Sequence, residues 1–231
     1  MIRRIAIYDL ETDGVDPSAH RPIELGLLLW SAEHLTTIAQ ASYLIRSERG
    51  NAAESANHIP AAALVDDAAI TEEQAWTRVR SFFGMADLVV AHKAAFDRSF
   101  TPPAIADAKP WLCTIEDVEW PVATRSKNLR DIAVEHGVAV TEAHRALADC
   151  DLIRKLFEAV ARRVPDFQAW LAQQLEPKPV YRVAARGFDA DRNALAKEHG
   201  FTFHDKDKTW RRKMRPEQIA ALPFEVVEVT P

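Results

Sequence analysis

The sequence predicts an α/β protein: a mixed sheet flanked by helices, followed by a small α+β unit. Three apolar, strand-length runs open the chain at residues 2–8, 23–31 and 35–45, and the short polar break at Glu33-His34 suits a hairpin turn. Shorter apolar runs at 87–91 and 111–113 each lead into a segment that reads as helical, which adds strands to the opening meander. Past Glu176-Pro177-Lys178-Pro179 the charge balance reverses: residues 178–231 carry a net +3, the rest of the chain a net −8.

Each element has its own signal. The run 2–8 is interrupted only by Arg3 and Arg4 and reads as a strand that ends in the carboxylates of Asp9-Leu10-Glu11-Thr12-Asp13-Gly14, an acidic surface turn being the competing reading. A polar loop, 15–22, leads to the second and third strands, and 48–57 is polar and loop-like. Residues 59–64 hold a short helix. Thr71, with Gln74 three residues on, forms a capping box for a helix that buries Ala75, Val79, Phe82 and Phe83. His92 opens another helix after the 87–91 strand, and Thr114 reads as the N-cap of a segment to Trp120. Asn128 to His136 is a helix closed by Gly137. A long helix from Arg145 to Arg163 places Leu147, Ile153, Leu156, Phe157 and Val160 on one face, Pro165 stops it, and 166–175 adds a last short helix. In the tail the order is strand 180–184, helix 189–199, strands 201–204 and 209–214, short helix 216–222 and strand 224–229. The resulting domains are 1–175, a linker 176–179, and a basic and aromatic α+β module 180–231.

At 231 residues, 48% hydrophobic and 27% charged, the chain has ordinary globular composition. A formal net charge of −5 excludes a uniformly basic nucleic-acid binder. Cys113 and Cys150 have no metal-type spacing, which points to a reducing compartment and away from a disulfide framework. No apolar stretch approaches the ~20 residues that span a bilayer, and the N-terminus enters a strand directly, so no membrane partner and no signal peptide are expected; the expected location is cytoplasmic.

Three stations carry chemistry. Asp9 and Glu11, two apart on an extended chain, point the same way. Two half-buried carboxylates side by side repel each other and call for a cation between them; hard oxygen ligands suit Mg²⁺ or Mn²⁺. Asp97 lies early in the helix after the 87–91 strand, and Asp149 early in the long helix, with His144 just before it. Taken singly, each of these could be a solvated helix-start residue. Together they set four carboxylates and a histidine at the ends of apolar elements.

Asp-Leu-Glu-Thr-x-Gly, then His-x-Ala-x-Phe-Asp, then His-x-Ala-x-x-Asp resembles the DEDDh (DnaQ-like) 3′→5′ exonucleases, in the family's order and across about residues 1–175. Ala91-His92 to Arg98, Leu112-Cys113-Thr114 and His144 to Cys150 bring the exonuclease X group closest in look. The resemblance implies an RNase H-like fold with a mixed five-stranded sheet. It implies two divalent ions, Mg²⁺ or Mn²⁺, on Asp9, Glu11, Asp97 and Asp149, and His144 as general base. It further implies that Leu10 packs on the terminal base, that Thr12 meets the 3′ end, that Phe96 packs nearby, and that His58 and Ile59 wedge against the terminal bases. Two positions depart from the family: Asp13 stands where Thr is frequent, either an extra carboxylate near the metals or a solvated one, and Lys93 stands where Asn is usual, a point charge for a substrate phosphate.

The expected function is hydrolysis of nucleic acid from the 3′ end to nucleoside 5′-monophosphates, with single-stranded DNA as partner. A polymerase-associated proofreading subunit and an RNA-processing exoribonuclease are the alternatives, and a polymerase or a second copy of the chain is a conceivable partner. The complete five-residue set argues against a silent binding module. In the tail, Arg182, Arg186, Lys197, Lys206, Lys208, Arg211, Arg212, Lys213 and Arg215 alternate with Phe201, Phe203 and Trp210. This suits phosphate contact and base stacking; a charged cap whose aromatics form its own core is the competing reading.

Overall fold

The computed structural model describes residues 1–231 except 125, 141–144, 184–189, 205–206 and 230–231. His144, Arg186 and Lys206 therefore lie outside the described residues. The first strand, β1 (Arg4–Thr12), carries Asp9, Leu10 and Glu11 near its end as strand residues, as the carboxylate spacing implied. Antiparallel pairing with β2 (Pro22–Ser31) continues through Glu11↔Glu24, with the register shifting only between Glu11 and Thr12. The third strand is β3 (Thr36–Leu44), and Leu35 takes up the hairpin's left-handed position at φ 50°. The stretch read as loop before residue 58 holds a short helix, α1 (Glu54–Asn57), followed by a 3₁₀ turn, Ala61–Val65.

Helix α2 (Glu72–Met85) begins on the capping box: Thr71 Oγ1 accepts from the Gln74 amide and the Gln74 side chain accepts from the Thr71 amide. It buries Ala75, Trp76, Val79 and Phe83; Phe82 is only half-buried. Strand β4 (Leu88–Ala91) leads to α3 (Ala94–Phe100) and α4 (Pro103–Ala106), and β5 (Trp111–Cys113) completes the sheet. No helix follows Thr114; the segment to Trp120 is turns, and the buried Thr114 hydroxyl meets His92 Nδ1 at 2.7 Å instead of capping a helix. Helices α5 (Leu129–Glu135), α6 (Ala146–Ala161) and α7 (Phe167–Gln174) follow, with Asn128 and Asp166 as caps and Gly137 at φ 73° past α5.

The sheet order is β3-β2-β1-β4-β5, with β1, β4 and β5 parallel and β2 and β3 antiparallel to their neighbours. Alternation along β1 splits the core in two. Ile5 and Ile7 join Ile153, Leu156 and Phe157 of α6 on one face. Ala6, Tyr8 and Leu10 join Ala75, Val79 and Phe83 of α2 on the other. This is an RNase H-like layering, a mixed five-stranded sheet between helices.

A second, four-stranded sheet in order β7-β8-β6-β9 forms from β6 (Val180–Val183), β7 (Thr202–His204), β8 (Thr209–Lys213) and β9 (Val226–Glu228), with α8 (Ala190–Glu198) between β6 and β7. Phe201 and Met214 are buried in its core, with Trp210 packed against them. Much of its positive charge is already paired, because Lys213 reaches Asp117 at 2.7 Å and Arg215 reaches Glu119 at 3.4 Å and Glu176 at 3.1 Å. Lys178, in the stretch read as a linker, is buried against Asp117 and Glu119. Among the described residues no helix is long and apolar enough to cross a membrane.

Candidate active site

Because β1, β4 and β5 run parallel, their C-terminal ends lie at one edge of the sheet, where α/β proteins place their sites. Asp9 and Glu11 continue the Ile5 and Ile7 face and so point toward α6. Asp149 sits in the first turn of α6, and carboxylate oxygens of Asp9, Glu11 and Asp149 lie within 4.8 Å of one another. Asp97 enters from the first turn of α3. It is fully buried, and its Oδ1 accepts the Leu10 amide at 3.1 Å, between the two β1 carboxylates. A chain of contacts fixes it: Tyr8 Oη meets Thr101 Oγ1 at 2.9 Å, and that hydroxyl donates to the Asp97 carbonyl at 2.8 Å. Both helix N-termini add a favourable dipole for an anion.

These residues crowd negative charge. Burial raises the Asp9 carboxyl well above the usual range, and Asp97, Asp149 and Glu11 raise it further. Burial does the same to Asp97. Glu11 is pushed up to about 7 by burial, with Asp149 and Glu24 adding to the push and Arg145 opposing it. Crowded hard oxygen donors that resist ionisation are a good fit for divalent cations, which would replace the protons they otherwise retain.

A stability prediction follows. Glu11 binds a proton more tightly folded than unfolded, so the metal-free fold is favoured at low pH and loses this stability as pH rises from its ordinary 4.5 to about 7. Melting temperature without metal is expected to fall by roughly 5 °C across that window, to fall less in Glu11→Gln, and to recover on adding Mg²⁺ at pH 8. A wild-type profile that is flat, or that rises over the same window, contradicts the crowding.

Residues that the motif pattern does not mark place α6. Glu24, buried opposite Glu11, takes a forked bond from Arg145, with Nη2 to Oε1 at 2.7 Å and Nε to both oxygens at 3.1 Å, and accepts the Ala146 amide at 3.0 Å. It staples the start of α6 to β2. Gly26, opposite Asp9, lets the helix come close: a Cβ there would lie 2.4 Å from the Ala146 carbonyl carbon. A lone Glu and a lone Gly inside an apolar central strand were the available signals. Gly26→Ala must push α6 back by about 1 Å, and kcat is expected to drop about 10²-fold, with about 1–3 kcal/mol lost from stability. Wild-type kcat in Gly26→Ala would contradict this placement.

The residues expected to meet substrate divide. His58 (φ 57°) and Lys93 (φ 64°) are exposed in left-handed conformations, and Lys93 lies over the half-buried Phe96 ring at 5.5 Å. The left-handed position explains why Asn, which tolerates it, suits residue 93. The side chains of Leu10 and Ile59 pack in the interior, Ile59 with Ile23 and Leu64. Thr12 is buried too, its hydroxyl donating to the Gly14 carbonyl at 2.6 Å. Asp13 is not solvated. It is buried, its Oδ1 accepting the Arg21 amide at 2.6 Å and closing the 13–21 loop. Buried Asn57 ties His58 to the motif by donating to the Thr12 carbonyl at 3.2 Å. Burial lowers His92 to about 4, so it is neutral near pH 7 and serves as a tie to β5.

The Exonuclease family model matches residues 6–157. Residues 187–229 match a second model, described as a domain of unknown function. No curated protein matches. Among solved structures, E. coli exonuclease I in complex with a dT13 oligonucleotide aligns with TM-score 0.64 and 15% identity over 85% of this chain and 50% of that one. Exonuclease X in complex with 5′ overhanging duplex DNA aligns with TM-score 0.56 and 20% identity over 74% of this chain and 99% of that one. Exonuclease I of Methylocaldum szegediense gives 0.61 and 21% over 82% and 49%. The chain spans about half the length of the exonuclease I chains it matches. With that match over residues 6–157, the chain belongs to the exonuclease family, of DEDDh (DnaQ-like) type.

Proposed function

We propose that the protein removes nucleoside 5′-monophosphates from the 3′ end of single-stranded DNA, using two divalent ions, Mg²⁺ or Mn²⁺, held by Asp9, Glu11, Asp97 and Asp149. The observation that carries this reading is the convergence of Asp9, Glu11 and Asp149 oxygens within 4.8 Å. Bound there, divalent ions supply a water nucleophile at neutral pH and neutralise charge on the phosphate and the leaving oxygen. Asp97, held by the Leu10 amide, supports the cluster from beneath. His144, one residue before Arg145 in the chain, takes the water's proton, a task to which an imidazole is suited near neutral pH. Exposed His58 and Lys93 contact the terminal nucleotide, with Phe96 beside them, and buried Leu10, Thr12 and Ile59 set the backbone on which it rests. The DNA complexes formed by exonuclease I and exonuclease X support the choice of DNA. The test is a digest of labelled DNA and RNA, single- and double-stranded, with products separated by chromatography. Mononucleotides carrying 5′-phosphate, released fastest from single-stranded DNA, are expected; oligonucleotide products or faster loss of RNA would overturn the assignment.

A further inference from the structure

A cavity of about 920 Å³ lies between the 114–127 segment and the C-terminal module. Its near end is Thr114, at the C-terminal end of β5, on the same sheet edge as the carboxylates. Two strand spacings separate β5 from β1, about 10 Å, or about three nucleotides of a stacked strand. The Lys127 main chain also reaches His92, so the cavity wall joins the edge of the candidate active site.

The charges in this cavity are unevenly matched. Glu116 and Glu119 on its wall are paired with Lys213, Lys178 and Arg215. The exposed neighbours Lys197 and Glu198 carry opposite charges. Lys127 and Arg212 instead donate to neutral oxygens: Lys127 Nζ to Thr202 Oγ1 at 3.1 Å and Arg212 Nη1 to the His199 carbonyl at 2.8 Å. Neither forms an ion pair with a carboxylate among the described residues. They flank Gly200, where a Cβ would lie 3.8 Å from Arg212 Cζ and 3.9 Å from Lys127 Cε. Burial pushes both groups below their ordinary values, and the Arg212 charge lowers Lys127 further. Glu116 opposes the shift at Lys127 and Glu119 that at Arg212, but both carboxylates are ion-paired to other cations; two half-buried cations that face one cavity with no ion pair of their own favour an anion.

We propose that this cavity is a track for the substrate strand, in which Lys127 and Arg212 hold backbone phosphates a few nucleotides from the scissile end. This rests on the exonuclease reading above. It also narrows the nucleic-acid role of the basic tail to one wall, since Lys213 and Arg215 serve to dock the module. The test is anisotropy binding of a labelled single strand of about 12 nucleotides at a series of salt concentrations, without turnover, for wild type, K127Q/R212Q and the charge-keeping K127R/R212K. The double neutral exchange should weaken binding about tenfold at low salt and flatten the slope of log affinity on log salt by about 1.4, at about 0.7 per lost phosphate contact. K127R/R212K should restore both. K127Q alone, the milder exchange should the pair not fold, should take off about 0.7. Unchanged affinity and slope would overturn the proposal. So would an equal loss for a free mononucleotide, which would make the cavity a nucleotide pocket instead of a strand track. Because binding is read without cleavage, failure of the wild type to degrade the strand would count against the exonuclease reading and leave this result to stand or fall by itself.

Discussion

Asp9→Ala and Asp149→Ala are each expected to lower kcat/KM by about 10³-fold or more and to leave the fold intact. The carboxylates converge on one point from β1 and α6, and their oxygens are within 4.8 Å of each other. A cation held there is worth several kcal/mol to the transition state, and each 1.36 kcal/mol is tenfold in rate. Removing one ligand loosens the cation and misplaces the nucleophile. The same exchange removes a charge that raises its neighbours' protonation, so without metal the melting temperature should stay level or rise. The pair of readouts separates this account from simple damage: activity falls while metal-free stability does not. A large fall in melting temperature, or retained activity, would contradict it.

His144→Ala is expected to cost about 10²–10⁴-fold in kcat with little change in substrate affinity. The rise of rate with pH on the acid side of the wild-type profile should flatten in the variant, because the group that must lose its proton is gone. His92 is no substitute, since burial, with the Lys93 charge adding to it, keeps it neutral down to about 4. Arg145, the neighbour of His144, is held by Glu24, so Glu24→Gln should lower kcat in the same direction and to a lesser degree. A His144→Ala protein with wild-type kcat would assign the proton to another group.

Much of this was legible in the residues. The meander, the parallel additions, the α2 capping box and the α6 face follow from hydrophobic period and cap chemistry, which are local. The Asp-x-Glu spacing announced a shared direction because alternation along a strand is strict. What stayed hidden depends on contacts between distant segments. Strand pairing with β2 carried β1 past its apolar run to Thr12. Thr114 had the composition of a cap, yet its hydroxyl is engaged by His92 across the sheet edge. Asp13 read as either an extra carboxylate near the metals or a solvated one, and the buried bond that closes its loop comes from Arg21, eight residues on. Gly26 and Glu24 act only because α6 returns over β2 from 120 residues away, as the Arg145–Glu24 separation of 121 shows. Net charge gave no sign that Lys213 and Arg215 form ion pairs with acidic partners while Lys127 and Arg212 donate to neutral oxygens.

The central claim is that one carboxylate cluster, loaded with divalent ions, cuts from the 3′ end. The most direct measurement is a time course on a 5′-labelled single strand, with Mg²⁺ and with EDTA. The account predicts a ladder shortening from the full length by single nucleotides with Mg²⁺ and an intact strand in EDTA. Immediate release of labelled mononucleotide, or the same ladder in EDTA, would contradict it.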